Sequence, residues 1–529
     1  MRHSSTTSRV KDGDKDEDCK PPPSVGNNDT PADESILGML ADVVPPCTLL
    51  TITATADVLT QAPLVKSRKP GVLFVVLHRA RGLSIPKQRQ DAFESQHPTT
   101  PHTFNDTNAQ VSGKFTPYAL IDFDKSQAFV GSVGGTLEEP SWAGTSTQYK
   151  FDVTRVTELN IHLYVRHPNA PRNSGHEHDI CLGATSIHPR FKDEQPGHGK
   201  ISSMSEQVQN GTYWVELQDG TGMLKISFEY VENPTTRLSI DDFELLKVLG
   251  QGAFGKVMQV QKKDTNRVYA LKTVRKSKIL SRPEITSPLV ERSIHSRISH
   301  PFIIPLKFAF QSPEKLYFVL AFVNGGELLG HLRNEGRFDV GRSRFYIAEL
   351  ICALEYLHGI GIIYRDLKPE NILLDYQGHI ALCDFGLSKM EMRGDDRTTT
   401  VCGTAEFMAP EVCLGGAYNK TVDWWALGIL LYEMLVGQPP FYNEDVQQLY
   451  REILTAPLRF PDGDVVPSPA RDLITSLLNR VPEQRLGANG AAEIRSHIFF
   501  EGVNWKKLLQ RRYEPGFKPS VVSLYSPPR

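Results

Sequence analysis

Residues 364–371 read Tyr364-Arg365-Asp366-Leu367-Lys368-Pro369-Glu370-Asn371, and Asp384-Phe385-Gly386 follows them. The two motifs place a carboxylate, a lysine, a carboxamide and a second carboxylate within one short stretch. Asp366 can take the proton of an incoming hydroxyl and orient it. Asn371 and Asp384 are oxygen ligands suited to magnesium when phosphates complete its shell. Lys368 can offset charge on a migrating phosphoryl group. Asp366 and Lys368 are therefore the candidate catalytic residues, and Asn371 and Asp384 the candidate metal ligands. Ala409-Pro410-Glu411 closes the segment.

Upstream lies Leu249-Gly250-Gln251-Gly252-Ala253-Phe254-Gly255-Lys256-Val257. A lone glycine pattern of this kind is weak. It also opens dinucleotide-binding units, but there a helix should follow, with an acidic residue near position 270. Instead, VMQVQKKDTNRVYALKTV alternates like a hairpin and carries Ala270-Leu271-Lys272 near its end. Gly250, Gly252 and Gly255 in such a hairpin let backbone N–H groups face triphosphate oxygens without side-chain obstruction. Lys272 adds a point charge to the phosphates. Glu291, inside the helical pattern PLVERSIHSRI, is the candidate partner that fixes this ammonium. Motifs in this order and spacing specify far more together than singly.

The rest of the chain sets bounds. It has 529 residues with 59 Lys and Arg, 61 Asp and Glu, and a net charge of −2. That balance excludes a whole-chain basic signature for nucleic acid. Apolar residues at 40% and charged residues at 23% are ordinary globular values. The seven cysteines are scattered, with no Cys-x-x-Cys pair, which argues against a zinc site or a disulfide framework and for a reducing compartment. The first residues hold no apolar h-region, so no secretory signal is expected. No apolar run of about 18 residues occurs, so no membrane span is expected.

Residues 1–70 are rich in Ser, Thr, Asp, Pro and Lys and are expected to be mostly disordered. Asp12, Asp14 and Asp16 mimic the start of a calcium loop, but Glu17 and Pro23 occupy the positions that need Gly and Glu. Residues 71–232 carry short β-rich runs: GVLFVVLHRARGL, TPYALIDF, QYKFDV, ELNIHLYVRH, DICLGATSI, YWVEL and GMLKISFEY. Runs of this kind, separated by turn residues, predict a β-sandwich. Their order resembles the C2 family, with a long polar insertion from Ser84 to Gly113. Thr116 stands where that family's calcium-binding aspartate would be, and the loop RHPNAPRNSGHEHD offers only Glu177 and Asp179. Calcium takes roughly six to eight oxygens, so calcium-independent contact with a membrane or a protein is expected. His167, His176 and His178 read as a wet, exposed loop sensitive to mild acid rather than a metal site.

Residues 243–500, with the motifs above, resemble a eukaryotic protein kinase over its full length. Tyr364 in place of the usual histidine, Thr400-Val401-Cys402-Gly403-Thr404, Asp423-Trp424-Trp425-Ala426-Leu427-Gly428 and Arg485-Leu486-Gly487 resemble the AGC group. SPEKLYFVLAFVNGGEL, RFYIAEL and DLKPENILLDYQGHIALCDFGL resemble the fungal Ypk type, relatives of the serum- and glucocorticoid-regulated kinases. The resemblance implies an α+β bilobal fold after the sandwich and a serine/threonine protein kinase using ATP and Mg2+. It also implies a cytoplasmic enzyme, peripheral at the plasma membrane, in TOR-linked membrane-stress and sphingolipid signalling.

Residue by residue, the resemblance puts Leu249, Val257, Ala270 and Leu373 around the adenine and Leu320 at the gatekeeper position. The backbones of Ala321 and Val323 would bond the adenine edge. These apolar residues read equally well as ordinary core. Thr400 would be the activation-loop phosphosite, modified by an upstream kinase, with Arg365 and Lys389 to receive its phosphate. Thr404 would contact Asp366, and Glu411 would pair with Arg485. Glu327, Glu370 and Glu433 match positions at which such kinases read arginines, because a carboxylate accepts the guanidinium fork bidentately. Protein substrates with Arg-containing motifs are thus expected.

The pattern is broken at three places. His295 stands where relatives have a leucine behind the DFG phenylalanine, and is expected to loosen the helix that carries Glu291. Ala405 and Phe407 replace a Pro and a Tyr, which would retune substrate docking. Residues 501–529 begin the AGC tail as Tyr513-Glu514-Pro515-Gly516-Phe517-Lys518-Pro519 and then run SVVSLYSPPR, without the three tail elements of the group. This predicts ATP binding with reduced or conditional activity. A kinase-fold scaffold, or a protein whose main working part is the sandwich, remain the alternatives.

Overall fold

The computed structural model describes residues 71–87, 117–142, 148–155, 157–166, 179–189, 197–201, 207–208, 210–232, 237–251, 255–277, 288–390, 392, 396–463 and 465–519. The N-terminal segment, the aspartates at 12–16, Thr116, the histidine loop and Gly252 lie outside the described residues. Residues 65–529 form one compact unit.

β1 (Gly71–Arg81) shows how the first part is built. Its apolar residues alternate, so Leu73, Val75 and Leu77 are fully buried while Phe74 and Val76 face the other way, half-buried. The strands that follow are β2 (Tyr118–Phe123), β3 (Ser126–Gly131), β4 (Gly134–Gly135), β5 (Pro140–Ser141), β6 (Gln148–Val153), β7 (Leu159–Val165), β8 (Ile180–Pro189), β9 (Gly197–Ile201), β10 (Gln207–Val208), β11 (Gly211–Glu216) and β12 (Met223–Glu232). One sheet has the order β4-β5-β1-β12-β11-β9, with β6 also on β1, and the other β10-β8-β7-β2-β3. Their inner faces share one apolar core, which includes Trp142, Phe151, Ile161 and Phe228. The Trp142 indole N–H donates to the Val130 carbonyl at 3.0 Å, so even this buried polar atom is satisfied.

The second part has two lobes. β13 (Phe243–Gln251), β14 (Gly255–Lys262), β15 (Val268–Arg275), β16 (Leu306–Gln311) and β17 (Lys315–Ala321) form an antiparallel sheet in the order β13-β14-β15-β17-β16. Helix α1 (Pro288–Arg297) accompanies it. The helical lobe holds α2 (Leu328–Glu335), α3 (Val340–Gly359) and α4 (Thr421–Val436). α4 is apolar on every side, as TVDWWALGILLYEMLV requires, and nearly all of it is buried. It ends at Gly437, whose φ of 96° is the left-handed cap that glycine provides without a Cβ clash. Between the lobes, the short hairpin β18 (Ile372–Leu374) and β19 (Ile380–Leu382) carries the catalytic segment on one side and Asp384 on the other.

The sandwich is fastened to the small lobe by two buried carboxylates. Asp152 accepts from the Tyr269 hydroxyl at 2.6 Å and the Thr265 hydroxyl at 2.9 Å, and pairs with Lys262 at 3.0 Å. Asp124 holds both Arg155, at 2.5 Å, and the fully buried Lys307, at 2.6 Å. Arg155 then donates to the Ile298 carbonyl, just beyond α1, at 2.9 Å. These carboxylates are cut off from water, so their partners are needed to replace the lost hydration. Burial acts to raise Asp124, but Arg155 and Lys307 prevail and hold it below its ordinary range.

Asp152→Ala strands the Tyr269 and Thr265 hydroxyls in a dry interface and leaves Lys262 only the more exposed Asp264 as partner. It should cost on the order of 3 kcal/mol and lower the melting temperature clearly in differential scanning fluorimetry. An unchanged melting point would show that Asp152 does not fasten the two parts.

Candidate active site

Lys272 is set in the middle of β15, opposite Val257 of β14 and Phe318 of β17. Its ammonium lies 2.7 Å from Glu291 of α1 and 3.0 Å from Asp384. Burial works to lower Lys272, but Glu291 and then Asp384 outweigh it and the ammonium stays firmly charged. Burial also pushes the Glu291 carboxyl up, opposed by Lys272. Burial would raise Asp384 as well, yet Lys272 beside it holds the carboxylate below its ordinary value. A strand, a helix and a loop therefore meet on one charge.

Asp366 is held from three sides. Lys368 approaches one oxygen at 3.0 Å, the Asn371 amide donates to that same oxygen at 2.8 Å, and Thr404 donates to the other at 3.2 Å. Lys368 also donates to Thr404 at 2.8 Å. Asn371 spends its amide nitrogen on Asp366, so its amide oxygen is the atom left to face a cation. Asp384 is exposed to the cleft, and the Cys383 N–H donates to the Asn371 carbonyl at 2.9 Å, which ties the two metal-ligand candidates together. An amide oxygen and a carboxylate beside a lysine form the donor set that a phosphate-bound Mg2+ takes. Such an ion would draw charge from the phosphate oxygens.

The apolar candidates line one side of the cleft. Leu320, Ala321, Val323 and Leu373 cluster with Ile304, Ala381 and Cys383, and Ala270 lies opposite Leu320 in the sheet. Leu249 is exposed, and Val257 is half-buried. The glycines differ in their reasons. A Cβ on Gly255 would meet the Thr273 carbonyl at 1.6 Å, whereas one on Gly250 would meet nothing. Gly255 is thus required by the close approach of β14 to β15 and Gly250 leaves space in the cleft.

Asp423, near the start of α4, was quoted in the sequence without a role. Its buried carboxylate accepts from the Tyr364 N–H at 3.0 Å, the Arg365 N–H at 2.8 Å and His358 at 2.7 Å. It thereby fixes the loop in which Arg365 adopts φ +68°. Only its place in an apolar helix hinted at this, since a lone buried acid needs partners. Tyr364 itself is fully buried, and its hydroxyl donates to the Cys383 carbonyl. Burial, with Asp384 next to it, pushes the Cys383 thiol well up.

The remaining candidates are placed as follows. Arg485 meets Glu411 bidentately at 2.7 and 2.9 Å, deep in the helical lobe. Thr400 is exposed. Its carbonyl accepts from the Tyr418 hydroxyl, which Arg365 reaches at 3.1 Å, so Arg365 and Thr400 are one residue apart in space. Lys389 is exposed and pairs by backbone with Ile363. Burial raises Glu433 to about 7, helped by Glu370 and by Glu406, an acid the sequence reading did not select. Glu327 precedes α2 and bridges to Leu373 by backbone.

A two-lobed fold with these groups at the cleft is that of a protein kinase, and residues 243–500 match the protein kinase domain family. The chain is 52% identical over 511 residues to the serine/threonine protein kinase ypkA of Aspergillus fumigatus, covering 87% of this chain and 80% of that one. It is 47% identical over 463 residues to gad8 of Schizosaccharomyces pombe, covering 86% and 78%. To YPK1 of Saccharomyces cerevisiae it is 51% identical over 421 residues, covering 76% and 61%. The chain belongs to the fungal Ypk-type serine/threonine protein kinases of the AGC group. It is accordingly an ATP- and Mg2+-dependent protein kinase.

His295 packs edge-to-face on Phe385, with ring centroids 4.9 Å apart, in the interior between α1 and the DFG segment. Its Nδ1 is buried without a partner among the described residues. Burial, and then Lys272, hold its pKa down to about 3, against the pull of Asp384. A neutral ring fits this site and an imidazolium does not. A histidine released from it would titrate near 6.5, so acid favours the released form as pH falls below that value. The His295→Leu enzyme should therefore keep several-fold more of its pH 7.5 activity at pH 5.5 than the parent does, measured as kcat. Identical profiles would remove His295 from the balance.

Proposed function

We propose that this kinase phosphorylates serine and threonine preceded by arginines, and that Thr400 phosphorylation by an upstream kinase activates it. The observation that carries the substrate reading is the acidic recess at Glu433. One carboxylate oxygen there is buried without a partner among the described residues, beside Glu370 and Glu406. Three crowded carboxyls are costly alone and are relieved by a guanidinium. Glu327, just before α2, would supply a further carboxylate.

In this reading the substrate hydroxyl oxygen attacks the γ-phosphorus. The bond to the β–γ bridging oxygen breaks, ADP departs, and the hydroxyl proton passes to Asp366. Lys368 lies where it offsets charge on the transferring group, and Thr404 holds the Asp366 carboxylate in line. Lys272, kept in place by Glu291, orients the phosphates. Asn371 and Asp384 would hold Mg2+. Leu249, Val257, Ala270 and Leu373 would enclose the adenine, and the Ala321 and Val323 backbones would bond its edge. A phosphate on Thr400 would draw Arg365 from Tyr418, ordering the loop that carries Thr404. We read the sandwich as a C2-like, calcium-independent docking part, and, on family resemblance, place the enzyme in TOR-linked membrane-stress and sphingolipid signalling at the plasma membrane.

Radiolabelled ATP and an Arg-x-Arg-x-x-Ser peptide test the reading, with Asp366→Asn as control; equal incorporation by both proteins would favour a scaffold. Glu433→Gln should raise the peptide KM about tenfold with kcat little changed, the scale of one charge-assisted contact. In the parent, KM should fall as pH rises from 6 to 8, because Glu433 ionises near 7 and only its charged form attracts arginine. A flat KM in both experiments would refute arginine reading by this recess. Thr400→Ala should cut activity at least tenfold in enzyme pretreated with its activating kinase.

A further inference from the structure

Arg79-Ala80-Arg81-Gly82-Leu83-Ser84, at the end of β1, carries the same Arg-x-Arg-x-x-Ser spacing as the arginine peptide. That spacing occurs once in the 529 residues. Ser5, Ser84 and Thr400 each have an arginine three positions before them, and of these only Ser84 has a second arginine five positions before. Thr400 has Asp395 there. Carboxylates that read arginine repel an aspartate, so a cleft that suits Ser84 does not suit Thr400.

The fold presents this hydroxyl at a lightly held strand end. Ser84 is exposed, as are Arg79, Arg81 and Gly82. The Ser84 and Thr221 hydroxyls share a hydrogen bond of 2.8 Å. The Arg79 and Arg81 guanidiniums lie over the Trp214 ring, 5.6 and 4.3 Å from its centre. Stacking of this kind at an exposed site is weak and is readily exchanged for a carboxylate. A bulge breaks the β1 register between Leu77 and Arg79, and beyond it β12 pairs with Arg79, Ala80 and Arg81. On the other side β6 reaches Val76 and β5 meets Arg79. Gly82 then turns with φ 71°, and the Leu83 N–H donates to the Glu138 carbonyl at 3.1 Å. Leu83 is buried, so lifting the segment takes one leucine from the core. Strand ends open in this way while the rest of a domain stays folded.

The chain's own cleft is out of reach. Thr221 stands two residues from Asp219, whose carboxylate is 3.5 Å from Arg512. Arg511 next to it pairs with Asp375 in the β18–β19 turn. That turn is the end of the hairpin opposite to Asn371 and Asp384. With Asp124 and Asp152 fixing the sandwich to the small lobe, Ser84 is held away from the reacting groups of its own chain.

We propose that Ser84 is phosphorylated by a second copy of this kinase when the end of β1 lifts. The proposal rests on the arginine-directed reading of the cleft. The carboxylates around Glu433 of one copy take Arg79 and Arg81 of the other. The Ser84 oxygen attacks the γ-phosphorus of ATP, the bond to the β–γ bridging oxygen breaks, ADP departs, and the hydroxyl proton passes to Asp366 of the copy that holds the nucleotide. Because Ser84 is exposed, the strand end can close again with the phosphate in solvent. It then carries an added charge of about −1.5 to −2.

Full-length Asp366→Asn chain serves as acceptor, and Ser84→Ala enzyme pretreated with its activating kinase serves as donor, with Mg2+ and ATP. Mass spectrometry follows the tryptic fragment Gly82–Lys87, in which Ser84 is the one hydroxyl residue. Phosphate should appear on the acceptor's fragment at a rate proportional to donor concentration. That rate should lie roughly ten- to a hundredfold below the rate on a free peptide of the same sequence, the factor for taking one leucine out of a core. Arg81→Gln in the acceptor should slow it at least tenfold. Leu83→Ala, which eases lifting, should speed it severalfold, with melting curves showing each acceptor folded at the assay temperature. A phosphorylated free peptide beside an unmodified acceptor chain overturns the proposal and leaves the arginine reading standing. No phosphate on either sinks both. Equal rates for the parent and Arg81→Gln acceptors overturn recognition through the two arginines, and a Leu83→Ala rate no faster than the parent's overturns the lifted strand end.

Discussion

The ammonium of Lys272 is the one charge on which the kinase part depends. Glu291 and Asp384 reach it from α1 and from the loop after β19, so it fastens helix, sheet and metal-ligand loop at a single point. An uncompensated charge this deep is costly, and the arrangement is therefore close to all-or-none. If α1 moves away, Glu291 loses its partner, Lys272 keeps only Asp384, and His295 lifts from Phe385. The neutral imidazole beside this triad matters for the same reason, since a second cation there would compete with Lys272 for the same carboxylates.

The sandwich bears on that point from behind. Arg155 donates to a carbonyl just past the C-terminal end of α1, where a cation is favoured by the helix dipole. Its other face is held by Asp124, which also neutralises Lys307 at the start of β16. Asp152 grips the β14–β15 turn through Lys262, Thr265 and Tyr269. The rear of the small lobe is thus built jointly by both parts, with buried polar contacts where a mobile interface would have water-exposed ones.

Much of the catalytic site was legible because its motifs are local and its chemistry restrictive. Asp366, Lys368 and Asn371 come from one loop, and Lys272 and Glu291 are a strand and a helix that only a shared charge explains. All seven β-rich runs from GVLFVVLHRARGL to GMLKISFEY became strands, since alternation survives into any half-buried sheet. β3, β4, β5, β9 and β10 were not read, as SQAFVG, GHGKI and the two-residue strands carry too little pattern. Gly250 and Gly255 looked equivalent, and only the spacing of β14 and β15 separates them. The roles of Asp423, Asp124 and Asp152 were invisible for a common reason. A charged residue in a sequence reads as surface, and its partners here lie between about 30 and 180 positions away.

The shared rear wall makes the catalytic lobes poor candidates for excision. Cut at residue 243, the kinase half would keep the Tyr269 hydroxyl and the Lys307 ammonium but lose Asp152 and Asp124, their acceptors. Surfaces shaped to be dry would be wetted, with a lysine and an aromatic core residue at their edge. A shortened protein used for screening compounds would then report on an α1 that lacks its brace, and potencies ranked on it would not carry over to the whole chain.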